Sequence, residues 1–382
     1  MSTDSTIGNR RNAVGSFLDR VRDRWATASG WQRWTVYVLL FVIALLLPSD
    51  TLGQFMSPYS DWASVLFFPI GTYVLLGIGL NVVVGQAGLL DLGYVAFFAI
   101  GGYAMALLGT RVGLNFWEIL IAGVLLSALS GIVLGGPTLR LRGDYLAIVT
   151  LGFGEIVRQT AENTDAIGGP RGIAGIPHPP SIDGVQIFGV DVFHYGVLDP
   201  RPYYYLLVVV ATAIIIFVKR WEKSRVGRAW AAIREDEDAA EVMGVPTFKF
   251  KLLAFAIGAS IGGAMGVVWA GKTISINPND FLFMLSATIL AAVVLGGSGN
   301  IPGVILGAFL VAWLPERFRG LSDYRILVFG AALVALMIFR PEGLLPSRRR
   351  KAELAEGTGG MGSMGAEVPG PETQAAAEGA AK

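Results

Sequence analysis

The sequence contains no cysteine and only two histidines, His178 and His194. That excludes disulfides, thiolate nucleophiles and thiolate-held metal or iron–sulfur centres, and it leaves too few imidazoles for a His-based metal site. Charge is also scarce: 15% of the 382 residues are charged, against about 25% in an ordinary soluble domain. The two signs nearly cancel, 30 Lys and Arg against 29 Asp and Glu, so no basic field points to a nucleic acid. What fills the chain instead is apolar and small, 53% hydrophobic residues with 50 glycines. This composition excludes a soluble enzyme and points to an all-α membrane protein with no catalytic residues and no metal of its own.

A bilayer core of about 30 Å takes about 20 apolar helical residues. Ten runs qualify: Trp34–Leu47, Trp62–Val84, Leu89–Leu108, Phe116–Leu134, Asp144–Thr160, Tyr203–Val218, Phe250–Ala270, Phe281–Leu295, Ile301–Leu314 and Tyr324–Phe339. The fifth carries Asp144, Glu155 and Arg158 and reads equally as a surface helix. Basic residues decide the case, because Lys and Arg concentrate in cytoplasmic loops. With ten spans both termini are cytoplasmic, and 22 of the 30 Lys and Arg fall inside: in residues 1–33, at Arg140 and Arg142, in 219–251, and from Arg340 onward. Without a fifth crossing the basic loop would move outside and the bias would collapse.

The expected organisation is a polytopic bundle of about ten transmembrane helices, some of them interrupted, over residues 34–346. A basic cytoplasmic segment, 1–33, precedes it, and a Gly/Ala/Glu/Pro-rich tail, 347–382, follows it and reads as disordered. A cytoplasmic loop spans 219–249 and a long Pro/Gly-rich external loop spans 161–202. In the first segment Phe17, Val21 and Trp25 stand i, i+4, i+8 among six arginines. That fits a short amphipathic helix on the inner membrane surface, or a basic tail that only fixes orientation. No early apolar run resembles a cleavable signal peptide.

Polar groups in spans are costly, so each marks a pathway or a buried contact. Asn81, Gln86 and Asp91 cluster around the Gly85 and Gly88 break, and Glu155 and Arg158 stand close enough to pair on one helix face. Gly152-Phe153-Gly154 and Gly296-Gly297-Ser298-Gly299 read as helix breaks, tolerated at membrane depth only against protein or a cavity. Phe97 and Phe153 could wall such a cavity. One formal match misleads: Gly266-Val-Val-Trp-Ala-Gly271-Lys272-Thr273 fits a phosphate-loop pattern, but it ends an apolar helix instead of linking a strand to a helix. Gly258, Gly262 and Gly266 are read instead as a stripe for close helix packing.

The loop 219–249 is long, charged and helical in propensity, which suits docking to a soluble partner. Its Asp238-Ala239-Ala240, followed by Gly244, resembles the E-A-A-x3-G element of ABC importer permeases, although the Ile-x-Leu-Pro ending is missing. Around it, Gly79–Gly85, Gly88–Tyr103, Asp144–Arg158, Gly227–Glu237 and Arg340–Pro346 resemble, in order, the larger permease subunit of high-affinity branched-chain amino-acid ABC importers. The resemblance runs from about residue 62 to 346.

That resemblance implies a subunit in the cell membrane of a prokaryote that hydrolyses nothing itself. It implies as partners a second homologous permease, two cytoplasmic ATPase subunits that bind ATP and Mg, an extracytoplasmic solute-binding protein, the amino-acid substrate and membrane lipid. Arg228, Glu235, Asp238, Ala239, Ala240 and Gly244 are the expected ATPase-coupling residues, on one helix ended by Gly244 ahead of Pro246. Asn81, Gln86, Asp91, Phe97, Gly152, Phe153, Gly154, Glu155, Gly296 and Gly297 are the expected substrate pathway. Related permeases carry urea or short amides. A different class of protein, a secondary transporter coupled to ions through Glu155 or Asp91, would also satisfy the composition.

Overall fold

The computed structural model describes residues 30–49, 60–139, 144–181 and 199–317 continuously, with isolated positions among 53–57, 184–196 and 327–345. The amphipathic segment expected before residue 30, Arg140 and Arg142, most of the run Tyr324–Phe339, and the tail 347–382 lie outside the described residues. The protein is a helical, multi-pass membrane protein, and among the described residues six helices are long and apolar enough to cross a bilayer. α1, Gly30–Leu46, belongs to a unit of its own, and all later elements form the second unit.

In the second unit α2 covers Trp62–Gln86, α3 Val95–Val112, α4 Phe116–Thr138, α5 Asp144–Asn163 and α6 Arg201–Glu222. A polar pair follows, α7 at Arg225–Glu235 and α8 at Glu237–Val242. Then come α9, Thr247–Thr273, α10, Phe283–Gly296, and α11, Ile301–Arg317. The starts obey local chemistry. Asp61 accepts from the Ser64 N–H at 2.9 Å to open α2, and Asn115 with Glu118 forms a capping box on α4.

α9 runs through the centre, and its glycines explain why it can. A Cβ on Gly266 would lie 2.1 Å from the Phe98 carbonyl oxygen of α3, and one on Gly258 would lie 2.5 Å from a Val83 methyl of α2. The stripe therefore lets three backbones close on one another, as small residues do in lipid. Gly266–Thr273 is continuous helix inside α9 and not a phosphate loop. On the outside, α4 presents Ile121, Leu125, Leu129 and Val133, spaced four apart and exposed, an apolar face suited to lipid.

The helices share two ends. At one, α7 and α8 pack on the start of α9: the Trp230 indole donates to the Phe250 carbonyl at 2.7 Å, and Lys251 pairs with Glu237. At the other, β1 (Ile173–Ala174) pairs antiparallel with β4 (Ser275–Ile276), and Arg111 donates to the Ala166 carbonyl. α5 begins after α4 has reached the first end and stops at the second, so this least apolar of the long helices runs the same course as its neighbours. The external loop of the sequence reading carries short strands, including a hairpin of β2 (Gln186–Ile187) and β3 (Val190–Asp191).

Candidate functional site

At the end that carries α7 and α8, two interrupted helices meet. α2 stops at Gln86, and residues 87–94 form a turn before α3 in which Asp91, Gly93 and Tyr94 are buried; the expected helix from Leu89 starts only at Val95. The reason is local: Gly88 has φ +74°, and the Gly93 N–H donates to Asp91 Oδ1 at 2.9 Å, a turn that competes with helix. Opposite lies the break after α10, where Gly297 and Gly299 have φ of 107° and 84°. Asn81, fully buried, joins the two: its Oδ1 accepts from the Gly299 N–H at 2.7 Å. Gly85 leaves room for this, since a Cβ there would sit 2.1 Å from Asn81 Oδ1 and 2.5 Å from Gly299 N.

Two further segments close on the same place. The N–H groups of Leu344 and Leu345 donate to the carbonyls of Leu295 and Gly296 at 2.8 and 3.0 Å, and Asn300 Nδ2 donates to the Leu345 carbonyl at 2.8 Å. These satisfy carbonyls that the end of α10 leaves without helical partners. From α7, Arg234 Nη1 donates to the Gly85 carbonyl.

Several buried polar atoms here have no hydrogen-bond partner among the described residues: Asn81 Nδ2, Gln86 Oε1 and Asp91 Oδ2. Asp91 lies in the connecting turn, outside both helices, and burial pushes its carboxyl up to about 7, against the pull of the Gly93 N–H and the Thr150 hydroxyl. Such atoms are costly when dry. An unpartnered amide donor and an unpartnered carboxylate oxygen are what a zwitterion's carboxylate and ammonium require.

The remaining expected pathway residues are scattered by comparison. Phe97 is fully buried, with its ring 6.0 Å from that of Phe153. Gly152 and Gly154 do not break α5, which is continuous from Asp144 to Asn163. Gly154 faces Gly93, with 3.2 Å from a Cβ to the Gly93 Cα, whereas a Cβ on Gly152 meets nothing within 4 Å. Glu155 pairs with Arg158 at 2.5 Å, as its spacing implies, with 43% of its side chain exposed. Gly296 and Gly297 do form a helix end and sit beside Asn81's partner.

The expected coupling helix is two helices, not one. Asp236 caps α8 by accepting from the Ala239 N–H at 3.0 Å, and its own extended backbone ends α7. Gly244, at φ +85°, closes α8. Arg228, Glu235, Asp238, Ala239 and Gly244 are exposed, while Ala240 is buried.

Sequence reasoning missed three features. Phe68 has non-helical φ and ψ inside α2 and exposes 43% of its surface; Pro69, within an otherwise unbroken apolar run, was the signal. At the other end, the Tyr203 hydroxyl lies 2.5 Å from His178 Nδ1, with Lys272 over the Tyr203 ring at 5.5 Å; these residues are far apart in sequence and left no signal. Val242 and Met243, 87% and 83% exposed, stand at the tip of the polar pair, and an apolar couplet between Glu241 and Gly244 was legible.

A family model described as branched-chain amino acid transport system / permease component matches residues 64–339. The chain is 44% identical over 338 residues to the high-affinity branched-chain amino acid transport system permease protein LivM of Escherichia coli (strain K12), covering 85% of this chain and 78% of that one. The LivM protein of Salmonella typhimurium is 43% identical over the same shares. LivH of Escherichia coli (strain K12), a permease protein of the same system, is 26% identical over 294 residues, with 72% and 91% covered. No solved structure matches the chain.

Proposed function

The chain belongs to the branched-chain amino acid transport permease family, and we propose on that premise that it is one membrane-spanning subunit of an ABC importer for branched-chain amino acids. In this reading a second, homologous permease completes the pathway. Two cytoplasmic ATPases bind ATP and Mg, an extracytoplasmic protein delivers the solute, and this chain catalyses no reaction. Both termini and the α7–α8 pair are cytoplasmic, and the loop between α5 and α6 faces outward toward the solute carrier.

The observation that carries the proposal is the α7–α8 pair. Its inner face is seated on α9 and on the end of α2, while its tip holds Val242 and Met243 out in a polar loop. A lever with one face bound to the spans and an apolar tip left over suits a soluble motor subunit. The pathway is expected to pass the breaks at Gly85–Gly88 and Gly296–Gly299. There Asn81 Nδ2 would donate to the substrate carboxylate and Asp91 Oδ2 would accept from its ammonium, with Phe97 and Phe153 lying near as apolar bulk. ATP-driven displacement of α7–α8 would then rock the spans between inward and outward access.

The test is uptake of labelled leucine into vesicles holding the chain alone or with its companion permease, ATPases and solute-binding protein. Uptake is expected only in the complete assembly and only with ATP inside the face that bears α7–α8. Ion-driven uptake by the chain alone would overturn the proposal.

A further inference from the structure

We infer that Arg234 is the positioning residue through which the α7–α8 pair moves both interrupted helices at once, an inference that rests on the importer reading above. Arg234 is half-buried on the inner face of α7, away from the exposed tip at Val242 and Met243. Its guanidinium donates to the carbonyl of Gly85, the last buried residue before α2 ends. That carbonyl has no helical partner, and a cation at a helix C-terminus also meets the negative end of its dipole.

The contact is more than a cap because of what Gly85 touches next. Asn81, one turn back, accepts from the Gly299 N–H at 2.7 Å, and the Gly85 backbone packs so closely against both that a Cβ would not fit. Gly299 lies in the break that directly follows the end of α10, whose Leu295 and Gly296 carbonyls accept from the Leu344 and Leu345 N–H groups. The arginine stem is also held: a Cβ built on Gly88 would lie 2.9 Å from Arg234 Cγ and 3.3 Å from its Cβ. A displacement of α7 therefore reaches the end of α2 through a packed, hydrogen-bonded contact, and passes to the Gly296–Gly299 break through Asn81. Packed contacts of this kind switch between arrangements and do not yield smoothly.

The experiment uses the complete reconstituted complex and compares the wild type with Arg234→Ala and Arg234→Lys. The readouts are ATP hydrolysed, leucine transported, and labelling of a single cysteine at Gln86→Cys, which is clean because the chain has no cysteine. For Arg234→Ala, leucine transported per ATP should fall about tenfold or more, the scale of a lost hydrogen bond to a charged group. Its ATP hydrolysis should stay within about twofold of wild type, since Arg234 is on the inner face of α7 and the exposed tip at Val242 and Met243 is left intact. The ATP-dependent change in Gln86→Cys labelling, expected with arginine present, should vanish with alanine. A purely structural role would lower assembly and leave that ratio and that labelling response intact in whatever complex remains.

If Arg234→Ala does not assemble, Arg234→Lys decides, since lysine keeps a charge and a donor but not the planar fork. An assembled lysine variant with a raised ATP-to-leucine ratio supports the inference. A normal ratio, or failure to assemble, overturns it. Absence of ATP-driven uptake in the wild-type complex would instead sink the importer reading itself, so the two failures are told apart.

Discussion

Replacing Val242 and Met243 together by serine should weaken docking of the ATPase subunit far more than removing any nearby charge. Fully burying a Val or Met side chain is worth about 1.5–3 kcal/mol. With 87% and 83% of these residues exposed, covering both gains about 2.5–5 kcal/mol. Ordering the Met side chain and its turn takes back about 0.5–1.5 kcal/mol, which leaves about 1–4.5 kcal/mol, centred on about 3 kcal/mol. At 1.4 kcal/mol per factor of ten, that is about 5- to 1,600-fold in affinity, centred on about 100-fold. Arg228, Glu235 and Asp238 are exposed, and exposed charges contribute at most about 1 kcal/mol each, or about fivefold. The assay is titration of the purified ATPase subunit onto the permease pair in nanodiscs, read by interferometry at fixed salt. An affinity change below about threefold for Val242→Ser/Met243→Ser, with a larger loss for Arg228→Ala, would refute the reasoning, because it would put charge above apolar burial.

Six of the ten expected spans coincide, among the described residues, with helices long and apolar enough to cross, and these were legible because a bilayer sets one length scale that runs of apolar residues report directly. Where helices begin and break was less legible, because hydrophobicity marks burial and not conformation. Leu89 and Leu90 extend the apolar run, yet they lie in a turn set by Gly88 and by Asp91 accepting from the Gly93 N–H. The glycine pairs make the same point. Gly297 and Gly299 adopt positive φ and end a helix, while Gly152 and Gly154 sit inside one, Gly154 because Gly93 of another segment approaches it. No local pattern separates these cases. Of the candidate site, Asn81 and Asp91 were readable as polar letters in apolar surroundings. Their meeting with Gly299 and Thr150, and that of Arg234 with Gly85, depends on α5, α7 and the break after α10 all closing on the end of α2 and its turn, which only the fold supplies.

Three further outcomes follow from the same geometry. Asn81→Leu leaves the Gly299 N–H near a side chain that cannot accept, at a cost of about 1–3 kcal/mol, and should lower the unfolding temperature of the purified permease; an unchanged value would mean that water replaces the amide. In whole cells, a membrane-impermeant maleimide should label Ala174→Cys, which is exposed beside β4, and should label Met243→Cys only after permeabilisation; the reverse pattern would invert the proposed orientation. The last concerns Gly152 and Gly154, which sequence reasoning treats alike as one helix break. A Cβ at Gly154 would lie 3.2 Å from the Gly93 Cα and 3.5 Å from its carbonyl oxygen. A valine there must push α5 off the turn and stretch the 3.0 Å bond from the Leu92 N–H to Thr150 Oγ1, an overpacking cost of about 1–3 kcal/mol. At Gly152 a Cβ meets nothing within 4 Å, and valine suits a helix interior better than glycine by a few tenths of a kcal/mol or about that. Gly154→Val should therefore lower both the unfolding temperature and the transport rate. Gly152→Val should keep the unfolding temperature, so any change in its leucine KM would report what covers that open face of α5, the companion permease or the solute. Equal loss of stability in both variants would show that Gly152 is packed in the assembled complex and that the face is an interface.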